Sequence, residues 1–154
     1  MNITWLEDNI FDRKLDDEER DLLEKIAYTE SYVKGDVIIR EGDASDGLFL
    51  LYSGKVLLQH EKHGQPVRIA TVSEGAQLGD IALFSDEGAS ATVKACEDCE
   101  IYHLPKEAME YLARNRKDLS NDIMLNTIRN LGSALRDMNG FHAYAQQYIQ
   151  GQHV

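Results

Sequence analysis

Eight of the eleven glycines in this chain, Gly35, Gly42, Gly47, Gly54, Gly64, Gly75, Gly79 and Gly88, fall within residues 31–104. They separate short runs rich in Val, Ile, Leu and Tyr. Glycine accepts the left-handed backbone that tight turns need, while β-branched and aromatic runs suit half-buried strands. Many short strands joined by tight turns predict an antiparallel jelly-roll barrel. The flanks read differently. Leu15, Leu22, Leu23 and Ile26 share one helical side, and Asp16, Asp17, Glu18 and Glu19 crowd a first turn where acids favour the helix dipole. An amphipathic lid helix is therefore predicted over residues 15–27. After the barrel, Pro105 opens a helix over 106–115, and a longer helix is predicted over 119–138. The expected fold is mainly β with flanking helices, one domain over residues 1–154: a helical lid about 1–30, a barrel about 31–104, C-terminal helices about 105–138 and a tail 139–154.

Length and charge bound the class. A chain of 154 residues is expected to bury one core. Its longest uninterrupted apolar run, residues 48–52, is far short of a membrane span. The start, Met1-Asn2-Ile3-Thr4-Trp5-Leu6-Glu7-Asp8, lacks the basic-then-apolar order of a secretion signal, and two nearby cysteines make no disulfide framework. A cytoplasmic location without membrane contact is expected. The net charge of -11, from 27 acidic and 16 basic residues, argues against a nucleic-acid partner, which would be held by Lys and Arg on phosphates.

Residues 79–93 carry the most chemistry. A glycine at a strand end followed at once by Asp80-Ile81-Ala82-Leu83-Phe84 aims backbone N–H groups at one spot, a geometry suited to phosphate. The chain then returns to β structure through Ser90-Ala91-Thr92-Val93. This stretch resembles the phosphate-binding cassette of the cyclic-nucleotide-binding domain, the sensory module of catabolite activator proteins and of kinase regulatory subunits. The resemblance covers roughly residues 15–138. Upstream, Gly35-Asp36-Val37-Ile38, Gly42-Asp43, the run from Leu48 to Val56 and Gly75-Ala76-Gln77-Leu78 keep the family's order and spacing. It implies a jelly roll of that type with a long C-terminal helix.

The resemblance also implies a ligand set: Gly79, Asp80, Ile81, Ala82, Ala89, Ser90, Ala91 and Thr92 on the cassette, with Thr127 and Asn130 reaching in from the last helix. Two of these depart from the family. Asp80 stands where Glu meets the sugar, and Ala89 where Arg meets the phosphate. Cyclic nucleotide is therefore the cofactor-like ligand that the family points to and that Ala89 and Asp80 disfavour. Arg68 or Lys94 is the candidate replacement cation, while Asp86 and Glu87 add negative charge nearby.

The last helix holds a second signal. Asn121, Met124, Ile128, Leu131, Leu135 and Met138 recur at steps of three and four, the register of a helix–helix seam. The family commonly dimerises here, so Met124, Ile128, Leu131, Leu135 and Met138 are the expected homodimer seam, with burial on the chain's own barrel as the alternative. Ile123, Thr127, Asn130 and Ala134 lie on an adjacent side that could face the barrel.

Metal and catalytic readings find less. Cys96-Glu97-Asp98-Cys99, His60-Glu61-Lys62-His63 and His103 offer ligand types, yet the first reads as a turn between strands, and a strand would put His60 and His63 on opposite faces. No metal site is expected. No Ser-His-Asp order, P-loop or dinucleotide fingerprint appears, so no catalytic residues and no enzyme activity are expected. Residues 140–154 are too few for a DNA-reading helix-turn-helix. The reading is a small stand-alone sensor or binding module with weak or lost cyclic-nucleotide affinity, signalling through an unidentified protein partner or a dimer. A non-sensing interaction scaffold is the alternative, and a cupin-like metal-dependent enzyme a distant third.

Overall fold

The run Leu48-Phe49-Leu50-Leu51 has no polar face to offer water, and it becomes the middle of the molecule. In a computed structural model, which describes residues 1–85 and 87–151, this run forms β3 (Gly47–Ser53). All four residues are buried. Because successive side chains alternate across a strand, the run serves two cores at once. Leu48 and Leu50 pack under the helices with Trp5, Leu23, Tyr102 and Leu112, while Phe49 and Leu51 point between the sheets with Val56, Val93 and Ile101.

The two sheets are antiparallel and four-stranded. One is ordered β1 (Tyr28–Tyr32), β8 (Cys99–Pro105), β3 and β6 (Gln77–Leu78); the other is β2 (Val37–Ile39), β7 (Thr92–Ala95), β4 (Lys55–Lys62) and β5 (Gln65–Ser73). With flanking helices and a long C-terminal helix, this is the jelly-roll class that the glycine spacing predicts.

The N-terminal lid begins earlier than the acidic helix. Asn2 caps a short helix α1 (Ile3–Leu6), its Oδ1 accepting the Trp5 N–H at 3.0 Å. A π-helical turn (Glu7–Phe11) follows and ends at Asp12, φ 53°. Helix α2 (Asp17–Ile26) starts with a capping box, Asp16 accepting from the Glu19 N–H and Glu19 from the Asp16 N–H.

Two helices close the fold, α4 (Lys106–Asn115) and α5 (Lys117–Gly151). The last helix is longer than the predicted 119–138. Residues 139–151 contain no proline, and Gly140 disfavours a helix by only about 1 kcal/mol relative to Ala. Leu119, Ser120, Ile123 and Thr127 bury against the rest of the molecule. Beyond Thr127 the helix leaves the barrel, so Asn130 and Ala134 are exposed. Among the described residues, no helix is long and apolar enough to cross a membrane.

Candidate functional site

A single departure from strand geometry builds the site. Strand β6 ends at Leu78, and the next residue, Gly79, has a φ of 78° that costs glycine little. A Cβ there would lie 2.9 Å from the Gly47 carbonyl oxygen, so the turn is also pressed close to β3. The chain coils through α3 (Asp80–Phe84) and returns to β7. A reciprocal backbone pair holds the returning limb: the Gly42 N–H donates to the Ala89 carbonyl and the Ala89 N–H to the Asp43 carbonyl, both at 2.8 Å. At Gly88 the two backbones touch, since a Cβ would stand 2.3 Å from the Gly42 carbonyl oxygen.

Between the limbs lies a cavity of about 80 Å³. Seven of the ten candidate ligand residues meet there, Gly79, Asp80, Ile81 and Ala82 from one limb and Ala89, Ser90 and Ala91 from the other. Ile39, Leu58, Leu78 and Val93 make its barrel wall, and Gln77 adds a side-chain amide. The other three candidates lie apart from this lining. Thr92 Oγ1 accepts the Glu41 N–H at 3.0 Å, Thr127 meets Gln77, and Asn130 donates to Asn126. A second cavity of about 140 Å³ shares Ile39, Gly79, Ala82 and Ala89 and extends to Arg40, Asp43 and Asp46.

Charge is distributed unusually. Asp80 is the only ionisable residue lining the smaller cavity, and no cation lies within ion-pair distance of it among the described residues. Its Oδ1 accepts the Ile81 N–H at 3.0 Å, so the carboxylate caps its own short helix. Burial raises its pKa above the ordinary carboxylate value, and that hydrogen bond only partly opposes the rise. Ala89 is buried. Arg68 is exposed on β5 and donates to Thr71, and Lys94 lines neither cavity. Asp86 lies outside the described residues.

Sequence reasoning missed Arg40 and Gln77. Arg40 is the cation of the larger cavity, with Asp43 and Asp46 lining the same space. Neither residue had a local signal, because what makes them part of the site are neighbours far along the chain.

The Cys and His candidates are scattered. Cys99 is buried, its thiol 3.4 and 3.2 Å from the carbonyl oxygens of Lys55 and Glu97, and burial pushes its pKa up. His60 Nδ1 sits 3.1 Å from Glu41, while His103 is buried between Glu30 and the Asp46 carbonyl and stacks on Phe49. Among the described residues, no three His, Cys, Asp or Glu side chains converge as a metal would require.

A strand-end glycine, a short helix and a clamped return beside a two-sheet barrel define a cyclic-nucleotide-binding domain. The family model of that name matches residues 29–116, more than half the chain, and the chain belongs to this family. Human cGMP-dependent protein kinase 2 is 44% identical over 71 residues, covering 45% of this chain and 9% of the kinase. The cAMP-dependent protein kinase regulatory subunit of Candida albicans is 32% identical over 100 residues, 65% of this chain and 21% of the subunit. The chain thus spans 9 to 21% of the length of these relatives. A cyclic nucleotide-binding domain from Methylobacillus flagellatus shares the fold at a TM-score of 0.78 and 21% identity, over 88% of this chain and 79% of that one.

Proposed function

We propose that this chain is a regulatory binding module whose cyclic-nucleotide affinity is weak or lost, and which signals through a partner or a dimer and performs no catalysis. One observation supports the reading: the cassette cavity is lined by a buried Ala89 and by an Asp80 that pairs with no cation among the described residues, so no side chain of this lining offers a phosphate positive charge. Losing one partner of a buried charge pair costs about 2–5 kcal/mol, roughly 30-fold to several thousand-fold in affinity. Helix-terminus N–H groups contribute only about 0.3–1 kcal/mol each toward an anion, and Asp80 already occupies the Ile81 N–H. The relatives named for cAMP and cGMP dependence therefore point to the ancestry of the site more than to its present ligand. With apolar walls and a desolvated carboxylate, the cavity suits an uncharged ligand with a hydroxyl or amine donor for Asp80.

Calorimetry with cAMP and cGMP tests this. The wild type should show no binding below about millimolar concentration, and Ala89→Arg with Asp80→Glu should gain at least about 30-fold. Sub-micromolar binding by the wild type overturns the reading.

Output through α5 has separate support. Met124, Ile128, Leu131, Leu135 and Met138 are 42, 61, 41, 57 and 57% exposed, an apolar stripe that the chain's own barrel does not cover. Glu at 131 and 135 would place unpaired charges in a paired seam while touching no core. Light scattering should find a wild-type dimer and a Leu131→Glu/Leu135→Glu monomer with unchanged circular dichroism. A monomeric wild type at micromolar concentration removes this route.

A further inference from the structure

His103, on β8, is the only histidine that the fold buries among the described residues, at 6% exposed. Each of its ring nitrogens meets an acceptor. Nδ1 lies 2.8 Å from Glu30 Oε1 on β1, and Nε2 lies 3.0 Å from the Asp46 carbonyl oxygen in the loop before β3. Neither oxygen brings a proton of its own: a carbonyl only accepts, and Glu30 accepts the Tyr32 hydroxyl on its other oxygen. A neutral imidazole has a single N–H, so only the doubly protonated ring satisfies both contacts.

The surroundings decide which contact fails when one proton leaves. Tyr28 stands opposite His103 on β1, and Phe49 stands opposite it on β3, with the Phe49 and His103 rings stacked 4.1 Å apart. Burial, followed by the hydrogen bond to Glu30, pushes the Tyr32 phenol above its ordinary pKa, which keeps it a donor and Glu30 an acceptor. A carboxylate holds an N–H more strongly than a carbonyl does, so Nδ1 keeps the last proton and Nε2 turns a lone pair on the Asp46 carbonyl. That carbonyl has one other donor, the Lys106 N–H at the start of α4, at 3.2 Å. Asp46 itself lines the larger cavity together with Arg40, Asp43 and Phe49.

We propose that His103 is a proton-operated clasp on residues 43–47, the loop that walls the larger cavity. The doubly protonated ring ties that loop to β1 across β8. Loss of the Nε2 proton to bulk water breaks the tie, sets a lone pair against a carbonyl and loosens the loop. The clasp works with no ligand present, so its failure and the failure of the calorimetry are separate results.

Magnetic resonance shifts of the two His103 ring nitrogens and of the Asp46, Gly47 and Lys106 amides, followed on the full chain from about pH 5 to 8, test it. The ring should pass from two N–H groups to one, at Nδ1, and the three amides should move with the same midpoint. Protection of the Lys106 N–H against exchange should fall roughly threefold or more through that midpoint. His103→Gln still donates toward Asp46 and cannot titrate, so it should abolish the amide titration while His60 and His63 keep their wild-type shifts. The ring measurement needs no variant and decides the matter even where Gln folds poorly. Ring nitrogens that do not change over this range overturn the proposal, and so does a loop titration that persists in His103→Gln, which would belong to the Glu30 or Asp46 carboxylate.

Discussion

The lid and the cassette treat desolvated carboxylates in opposite ways. In the lid, Glu7 and Glu19 are 2 and 3% exposed, and each is surrounded by cations. Glu7 accepts from Lys14, Arg20 and the Leu15 N–H, all at 2.9 Å. Glu19 accepts twice from Arg13, at 2.7 and 2.9 Å, and lies 3.5 Å from Arg116, while Arg13 reaches Asp122 on α5 at 2.7 Å. In the cassette, Asp80 has its own backbone and no cation. Cations here tie the lid to the start of α5; among the described residues none lines the smaller cassette cavity. The two ends thus use charge differently: ion pairs hold the lid, while a backbone N–H caps the cassette carboxylate.

The largest expected effect comes from breaking the saturated side. Glu19→Leu removes one of the two carboxylates that Arg13 meets and the acceptor of the Asp16 N–H, and should lower unfolding free energy by about 2–3 kcal/mol, the remaining Asp122 partner and the partial exposure of Arg13 softening the loss. Urea titration reads it directly. A loss near that of an ordinary surface substitution, about 0.5 kcal/mol, would erase the contrast between the two regions.

Acid should reveal the same contrast next. The hydrogen bond from Lys14, followed by that from the Leu15 N–H, holds the Glu7 pKa down to about 2, and the hydrogen bond from Arg116 does the same for Asp118. Both are depressed in the folded state, so the unfolded chain takes up protons first as pH drops. Their stabilisation is complete above about pH 4.5 and is lost as pH falls toward about 2. Urea midpoints at pH 7, 4 and 3 should decline in that order, and Glu7→Gln should flatten the decline. Midpoints that hold steady to pH 3 would contradict the lid's role.

The smallest effect has the opposite sign. Asp80 is raised by burial, so its ionised form opposes folding at neutral pH, and the opposition fades as pH falls through its raised value. Asp80→Asn keeps an acceptor for the Ile81 N–H and should raise Tm by up to about 2–4 °C, near 1 kcal/mol for a chain of this size. A fall in Tm on calorimetric scanning would show that the charge itself holds the turn, and the cassette would then resemble the lid.

Much of this was legible in the chain itself, and what was legible is local. Alternating apolar runs punctuated by Gly42, Gly47, Gly54, Gly64 and Gly75 specify short strands and turns, because side-chain period and backbone freedom act over a few residues. Asp16 and Glu19 announce the start of α2 for the same reason. The cassette, too, was readable as a turn with Ala89 and Asp80 in place of its usual charges. Tertiary structure decided the rest, because polar partnerships close over long separations. Gln77 meets Asn126 and Thr127 across 49 and 50 residues, Arg13 meets Asp122 across 109, and Arg40 reaches the cavity only because β2 packs beside the cassette. It also decided which side of α5 is covered: the three-and-four spacing fits burial or pairing equally, and only the departure of the helix from the barrel after Thr127 leaves Ile128, Leu131 and Leu135 in the open.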